Sequence, residues 1–219
     1  LLSPLALFFT ILIVRKTAFS HTDIPLYPVY LLIGLVIMGY MNRVIGIASD
    51  IIRGNSGFIK SIHVPSEVLV LSTIFHVFFL HIFEVGIIIA LGIYFGVSIT
   101  GLILYICSVL LFTLFLLGVA FIFSTIGVFV SDISNVWAIV SQFVFFITPT
   151  FYMLEKGTRL YYINQFNPLY HFMNFSREAL ISGSVSMYTL IVSIICVVFS
   201  LCIGLGLFSR FKIKFAELL

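Results

Sequence analysis

The chain has 219 residues, of which 62% are hydrophobic and 9% charged, and its mean hydropathy is +1.26. Soluble domains carry about 25% charged residues, so an aqueous globular fold is excluded; the net charge of +3 comes from basic residues scattered among several apolar runs, with no polybasic block, and implies no nucleic-acid partner. At this length a set of six spans uses nearly everything, and any ATP-hydrolysing domain is expected on another chain.

A bilayer core about 30 Å thick needs about 20 apolar residues in helical conformation, and lipid offers the backbone no other hydrogen-bond partners. The runs therefore predict an all-α, polytopic membrane protein of six transmembrane helices with outer re-entrant or interfacial helices. The first run, residues 1–14, has no basic stretch ahead of it and no small-residue cleavage motif, and is expected to be a shortened span rather than a signal peptide. The second, 27–48, contains Gly34, Gly39 and Gly46, with Gly39, Asn42, Arg43, Gly46 and Asp50 along one stripe. Residues 50–67 form a break whose Gly54, Asn55, Gly57 and Pro65 place it in water or on another protein. Its segment Gly54 to Ser61 lacks the spacing of a phosphate-binding loop, so no ATP site is expected there.

The third span, 68–95, holds His76, His81 and Glu84, with His81 one turn before Glu84 and able to pair with it. These residues read either as a hydrogen-bonded pair or as a proton relay; a metal site is not expected, because no other run supplies matching ligands. A turn at 96–101 leads to the fourth span, 102–130, and a second turn at 131–135 to the fifth, 136–152. On a helical wheel of the fifth span Ser141, Gln142, Phe145, Thr148, Pro149 and Tyr152 share one arc of about 120°. Such a stripe either packs against another helix or lines a water-filled path. Residues 153–186 are too aromatic for a plain loop and too polar to span, which predicts interfacial or re-entrant helices.

The sixth span, 187–208, ends at the basic tail Arg210, Lys212 and Lys214. With termini inside, Arg53, Lys60 and this tail are balanced by Arg15, Lys16, Lys156, Arg159 and Arg177 outside, and Arg43 tips the orientation slightly toward cytoplasmic termini. Cys107, Cys196 and Cys202 lie inside apolar runs, where a thiol behaves as a small hydrophobe. The 25 Phe and 10 Tyr mostly face lipid or pack helices, but aromatic faces on polar stripes also suit the stacking of sugar rings.

Several segments, in order, resemble the permease subunits of ABC transporters that export O-antigen, capsule or teichoic acid. Ser3-Pro4-Leu5 resembles the family's N-P-L at the first span, and Ile24-Pro25-Leu26-Tyr27-Pro28 the start of its second. Asn55, Phe58-Ile59-Lys60, His63-Val64-Pro65 and Leu71-Ser72 resemble its first cytoplasmic loop, and Phe123-Ser124-Thr125 to Asp132 resembles F-S-T-x-x-x-F-x-R-D. Thr148-Pro149-Thr150-Phe151-Tyr152 is similar to T-P-I-x-Y, Asn167-Pro168-Leu169 to N-P-L, and Phe215-Ala216-Glu217-Leu218-Leu219 to the closing F-A-E-x-L. Ser131 and Ser66 stand where the family usually has basic residues, and the family's basic N-terminal amphipathic helix is expected to be missing.

The resemblance implies a multi-pass protein of the inner (cytoplasmic) membrane with both termini cytoplasmic. It also implies a homodimer whose two copies form a channel for lipid-linked polysaccharide, amid membrane lipids. The break at 50–67 would dock on a separate nucleotide-binding ATPase subunit through Arg53, Asn55, Phe58, Ile59, Lys60, His63 and Pro65. Ser141, Gln142, Phe145, Thr148 and Tyr152 would line the channel and contact glycan, while Pro149, Phe151, Asn167, Pro168 and Arg177 would form a gate. The permease itself would bind no cofactor or metal and do no chemistry, ATP and Mg residing on the partner. The alternative is a proton-coupled secondary transporter using His76, His81 and Glu84, against which stands the lack of an internal inverted repeat. An intramembrane enzyme acting on polyprenyl lipids would need clustered carboxylates, whereas Asp50, Glu67 and Asp132 are unpaired in sequence.

Overall fold

The computed structural model describes residues 8–11, 13, 26–57 and 65–215. The described chain folds into helices alone: α1 (Tyr27–Gly54), α2 (Ser66–Tyr94), α3 (Ile99–Phe129), α4 (Ile133–Ile147), α5 (Arg159–Gln165), α6 (Pro168–Arg177) and α7 (Met187–Phe211), with a π-helical turn at Glu178–Ser182 and a 3-10 turn at Lys212–Lys214. Among the described residues α1, α2, α3 and α7 are long and apolar enough to cross a membrane. The most apolar stretch of α1 is 72% buried, against 22 to 39% for the other three, so α1 is the most buried of the four and the others keep wide exposed apolar faces.

The connections follow from short local signals. Gly96, at φ +74°, ends α2 in a Schellman motif, with Val97 N–H donating to Gly92 C=O and Gly96 N–H to Ile93 C=O. Two residues later the Ser98 hydroxyl accepts from Gly101 N–H and caps α3. Thr158 caps α5 through Tyr161 N–H, and Asn167 caps α6 through Leu169 N–H with Pro168 in the first turn.

α4 departs from the expected fifth span. It runs over 15 residues, about 22 Å at helical rise, and ends at Ile147 rather than continuing to Tyr152. Pro149 has no N–H to donate and disfavours helical geometry at Thr148, so the chain leaves the helix there. Thr148, Pro149 and Tyr152 therefore do not continue the wheel of Ser141, Gln142 and Phe145. The break expected from Asp50 onward begins later, since α1 runs through Asp50 and Arg53 to Gly54.

The chain divides into two compact units. One comprises Leu1–Gly39, Leu80–Leu110 and Val144–Ser193; the other comprises Tyr40–Phe79, Leu111–Phe143 and Ile194–Leu219. In the second unit α3 and α7 approach at small residues. A Cβ at Gly118 would collide with the Ser200 backbone, and the Ser200 hydroxyl donates to Phe115 C=O at 3.1 Å. Close backbone contact through small residues is how helices gain dispersion energy where lipid removes the hydrophobic drive. Phe121, Phe208 and Phe215 stack edge to face beside this contact.

Candidate gate and cavity

The break after α4, residues 148–152, lies in the first unit and raises an accounting problem: irregular backbone carries carbonyls that no helix satisfies. Each of them finds a donor. Thr148 C=O accepts from Thr150 N–H at 2.7 Å, and Pro149 C=O from Arg177 Nη1 at 2.8 Å. Thr150 C=O accepts from Arg177 Nη2 at 2.9 Å, Phe151 C=O from the Tyr27 hydroxyl at 3.1 Å, and Tyr152 C=O from the Tyr30 hydroxyl at 2.8 Å. The last carbonyls of α4 are met as well. The Tyr152 hydroxyl shares its one proton between Phe146 C=O and Ile147 C=O, and Asn164 Nδ2 donates to Ile147 C=O at 2.9 Å. Asn167 Nδ2 reaches back to the buried Thr148 hydroxyl at 2.7 Å. A non-helical segment in a membrane protein persists only where protein supplies its partners, and here two tyrosines, two asparagines and an arginine do so.

Arg177 is the centre of this clamp. It closes α6, is 4% exposed, and lays its guanidinium 3.5 Å from the centroid of the Tyr30 ring. A third bond runs from Nη2 to Tyr30 C=O at 3.3 Å. Burial draws its pKa down to about 10, and the Tyr30 interaction opposes that fall, so the side chain stays cationic at neutral pH. Gly34 makes the approach possible: a Cβ there would meet Thr150 O at 2.6 Å and Arg177 Nη2 at 2.9 Å. Beside Arg177, Glu178 accepts from Ser186 N–H and the Thr189 hydroxyl, which anchors the start of α7 at its electropositive end. A cavity of about 300 Å³ opens here, with Tyr30, Pro149, Tyr170, Asn174, Arg177 and Glu178 among its walls.

The expected gate residues Pro149, Phe151, Asn167, Pro168 and Arg177 thus fall in one assembly, together with Thr148 and Tyr152. Phe151 packs 5.9 Å from Phe145 and 5.2 Å from Tyr152. Ser141 and Gln142 lie in the other unit; the Ser141 hydroxyl bonds back to Ala138 C=O, and Gln142 is exposed. Sequence reasoning passed over Tyr27, Tyr30, Gly34, Thr150 and Asn164. Tyr27, Tyr30 and Gly34 carry a signal in their i, i+3, i+7 spacing, which sets them along one helix stripe, and Tyr27 and Thr150 stand in the motifs quoted above without a role of their own.

Of the expected coupling residues, Phe58, Ile59, Lys60 and His63 lie outside the described residues, and Pro65 immediately precedes α2. Arg53 donates to Val128 C=O at 3.1 Å, capping the end of α3, and Asn55 Nδ2 donates to Ile51 C=O at 2.8 Å. Lys212 pairs with Glu67 at 2.7 Å and ties the turn after α7 to the first turn of α2. His81 and Glu84 form a buried pair at 3.0 Å, whereas His76 points outward and is exposed, so the three do not form one cluster. Among the described residues no group of three or more His, Cys, Asp or Glu is placed to hold a metal ion.

Residues 2–181 match the ABC-2 type transporter family. The chain belongs to that family. The match extends from the first apolar run into the π-helical turn and takes in the whole clamp around Arg177. A search of curated proteins gave no match. As an ABC-2 type transporter the chain is the membrane part of a transport system, an all-α multi-pass membrane protein, and domains of this kind typically pair with ATPase subunits.

Proposed function

We propose that this ABC-2 chain is the permease subunit of an ATP-driven exporter that moves lipid-linked polysaccharide, of O-antigen, capsule or teichoic acid type, across the cytoplasmic membrane. Two copies form the conduit, both termini face the cytoplasm, and ATP with Mg is bound and hydrolysed by a separate partner. Residues 50–67 receive the partner's motion through Arg53, Asn55, Phe58, Ile59, Lys60, His63 and Pro65. The carrying observation is the clamped break at 148–152: a non-helical strip with a donor for every carbonyl, held by side chains from α1, α5 and α6. A strip held by hydrogen bonds from several elements is a unit that moves when those elements move, which suits a gate driven from elsewhere in the chain.

Support for a glycan cargo comes from the ordered motifs shared with polysaccharide exporters and from aromatic rings beside polar backbone at Phe145, Phe151 and Tyr152. Membership of an ABC family favours ATP over a proton gradient as the energy source, and the separation of His76 from the His81–Glu84 pair removes a continuous relay along α2. The test is export in cells whose partner ATPase is catalytically dead. Glycan should accumulate on the cytoplasmic side; a Glu84→Gln variant whose export loses all dependence on the proton gradient, with ATPase activity irrelevant, would instead favour the secondary transporter.

A further inference from the structure

The cavity beside the clamp has a chemistry that the backbone contacts of Arg177 do not exhaust. Arg177 is 4% exposed, the hydrogen bonds of its Nη1 and Nη2 groups go to neutral carbonyls, and its buried Nε finds no hydrogen-bond partner. A buried cation met by carbonyl dipoles and one aromatic face, with no carboxylate beside it, is an incomplete electrostatic arrangement, and its unpaired N–H is destabilising until an acceptor arrives. The nearest carboxylate in the cavity wall, Glu178, already accepts from Ser186 N–H at 2.9 Å and Thr189 Oγ1 at 3.1 Å. The remaining walls are suited to a ring: Tyr170 offers aromatic surface, the Tyr30 ring being covered by the Arg177 guanidinium, and the Asn174 amide offers both a donor and an acceptor. The volume of about 300 Å³ lies at the lower end of small-ligand sites.

We infer that this cavity is a binding site for an anionic saccharide unit, a sugar bearing a carboxylate or a phosphate. The acidic group meets the Arg177 guanidinium, the ring lies along Tyr170, and hydroxyls bond to Asn174. The inference rests on the glycan-export reading and narrows it: the cargo polymer carries negative charge along its repeat, not only at its lipid anchor. Arg177 then has two duties, holding the break at 148–152 and recognising the unit that passes it, so occupancy of the cavity is coupled to the gate.

The experiment is titration of the complete transporter, permease with its ATPase partner in lipid nanodiscs, with glucuronic acid, glucose 1-phosphate, glucose and inorganic phosphate. Glucuronic acid and glucose 1-phosphate should bind at least about tenfold more tightly than glucose, the difference a charge-assisted hydrogen bond supplies. Inorganic phosphate, lacking a ring, should bind more weakly than either. Because replacing Arg177 threatens the fold, the control is Asn174→Leu, which removes the cavity's amide and puts an apolar branch in its place while leaving every bond of the clamp. This variant should abolish binding of both acidic sugars and unfold at the wild-type temperature. Equal affinity for glucose and glucuronic acid, phosphate binding as tightly as the acidic sugars, or affinity unchanged in the Asn174→Leu variant each overturns the inference. Export of a neutral glycan that stops with a dead ATPase would leave the exporter reading standing and remove only the anionic cargo.

Discussion

Arg177 shows how one side chain can solve a backbone problem created elsewhere in the sequence. Pro149 ends α4 and leaves carbonyls exposed within a membrane protein; the planar guanidinium takes two of them from one direction. Lysine cannot reproduce that fork. Arg177→Lys is expected to lower stability by about 1–3 kcal/mol, the cost of leaving a buried acceptor unmet, read as a drop in thermal unfolding temperature of the purified protein. Gly34→Ala should act through the same contacts, since its Cβ meets both Thr150 O and Arg177 Nη2. Overpacking there costs about 1–3 kcal/mol and should reduce export more than abundance, because the displaced groups are those of the gate. Tyr30→Phe keeps the ring beneath Arg177 and removes only the hydroxyl that serves Tyr152 C=O, so it should cost about 1 kcal/mol. A Tyr30→Phe/Arg177→Lys double variant whose loss departs from the sum of the two single losses would show that the two donors do not act independently.

At the scale of elements, what was legible in the sequence depended on whether the signal was local. Gly96, Ser98, Asn167 and Pro168 act within a turn of their own position, and each sits where its capping chemistry requires. The boundary of α4 falls at Ile147 and not at the expected Tyr152, because the apolar run and the wheel continue past Pro149 while its missing N–H ends the helix. The partners of the break came from α1, α5 and α6, far away in sequence, and no local pattern announces such pairings. Arg53 carries the same lesson. Its place in a polar break pointed to a partner protein, yet the side chain caps α3 through Val128 C=O. Arg53→Ala should therefore destabilise the permease by about 1 kcal/mol even with the ATPase absent. A variant of unchanged stability that fails only to bind the ATPase would assign Arg53 wholly to docking. In the second unit, Gly118→Val should loosen α3 from α7, since the Ser200 backbone occupies the space its Cβ needs, and should raise proteolytic sensitivity of α7.

For the whole molecule, composition established membrane residence before any residue was considered, because lipid admits only internally satisfied backbone. The order of short motifs resembles that of the polysaccharide exporters, and the match over residues 2–181 places the chain in the ABC-2 type transporters. The clamped break links those levels: it converts a proline in an apolar run into a strip of backbone held by several elements. The central claim is that ATP hydrolysis on a partner moves a lipid-linked glycan through this permease. Proteoliposomes containing the permease and its ATPase, loaded with lipid-linked glycan labelled on one leaflet, measure that directly. Transfer to the opposite leaflet should require ATP and Mg, and should fall to background with a hydrolysis-dead partner. Transfer at the full rate with that dead partner would contradict the account.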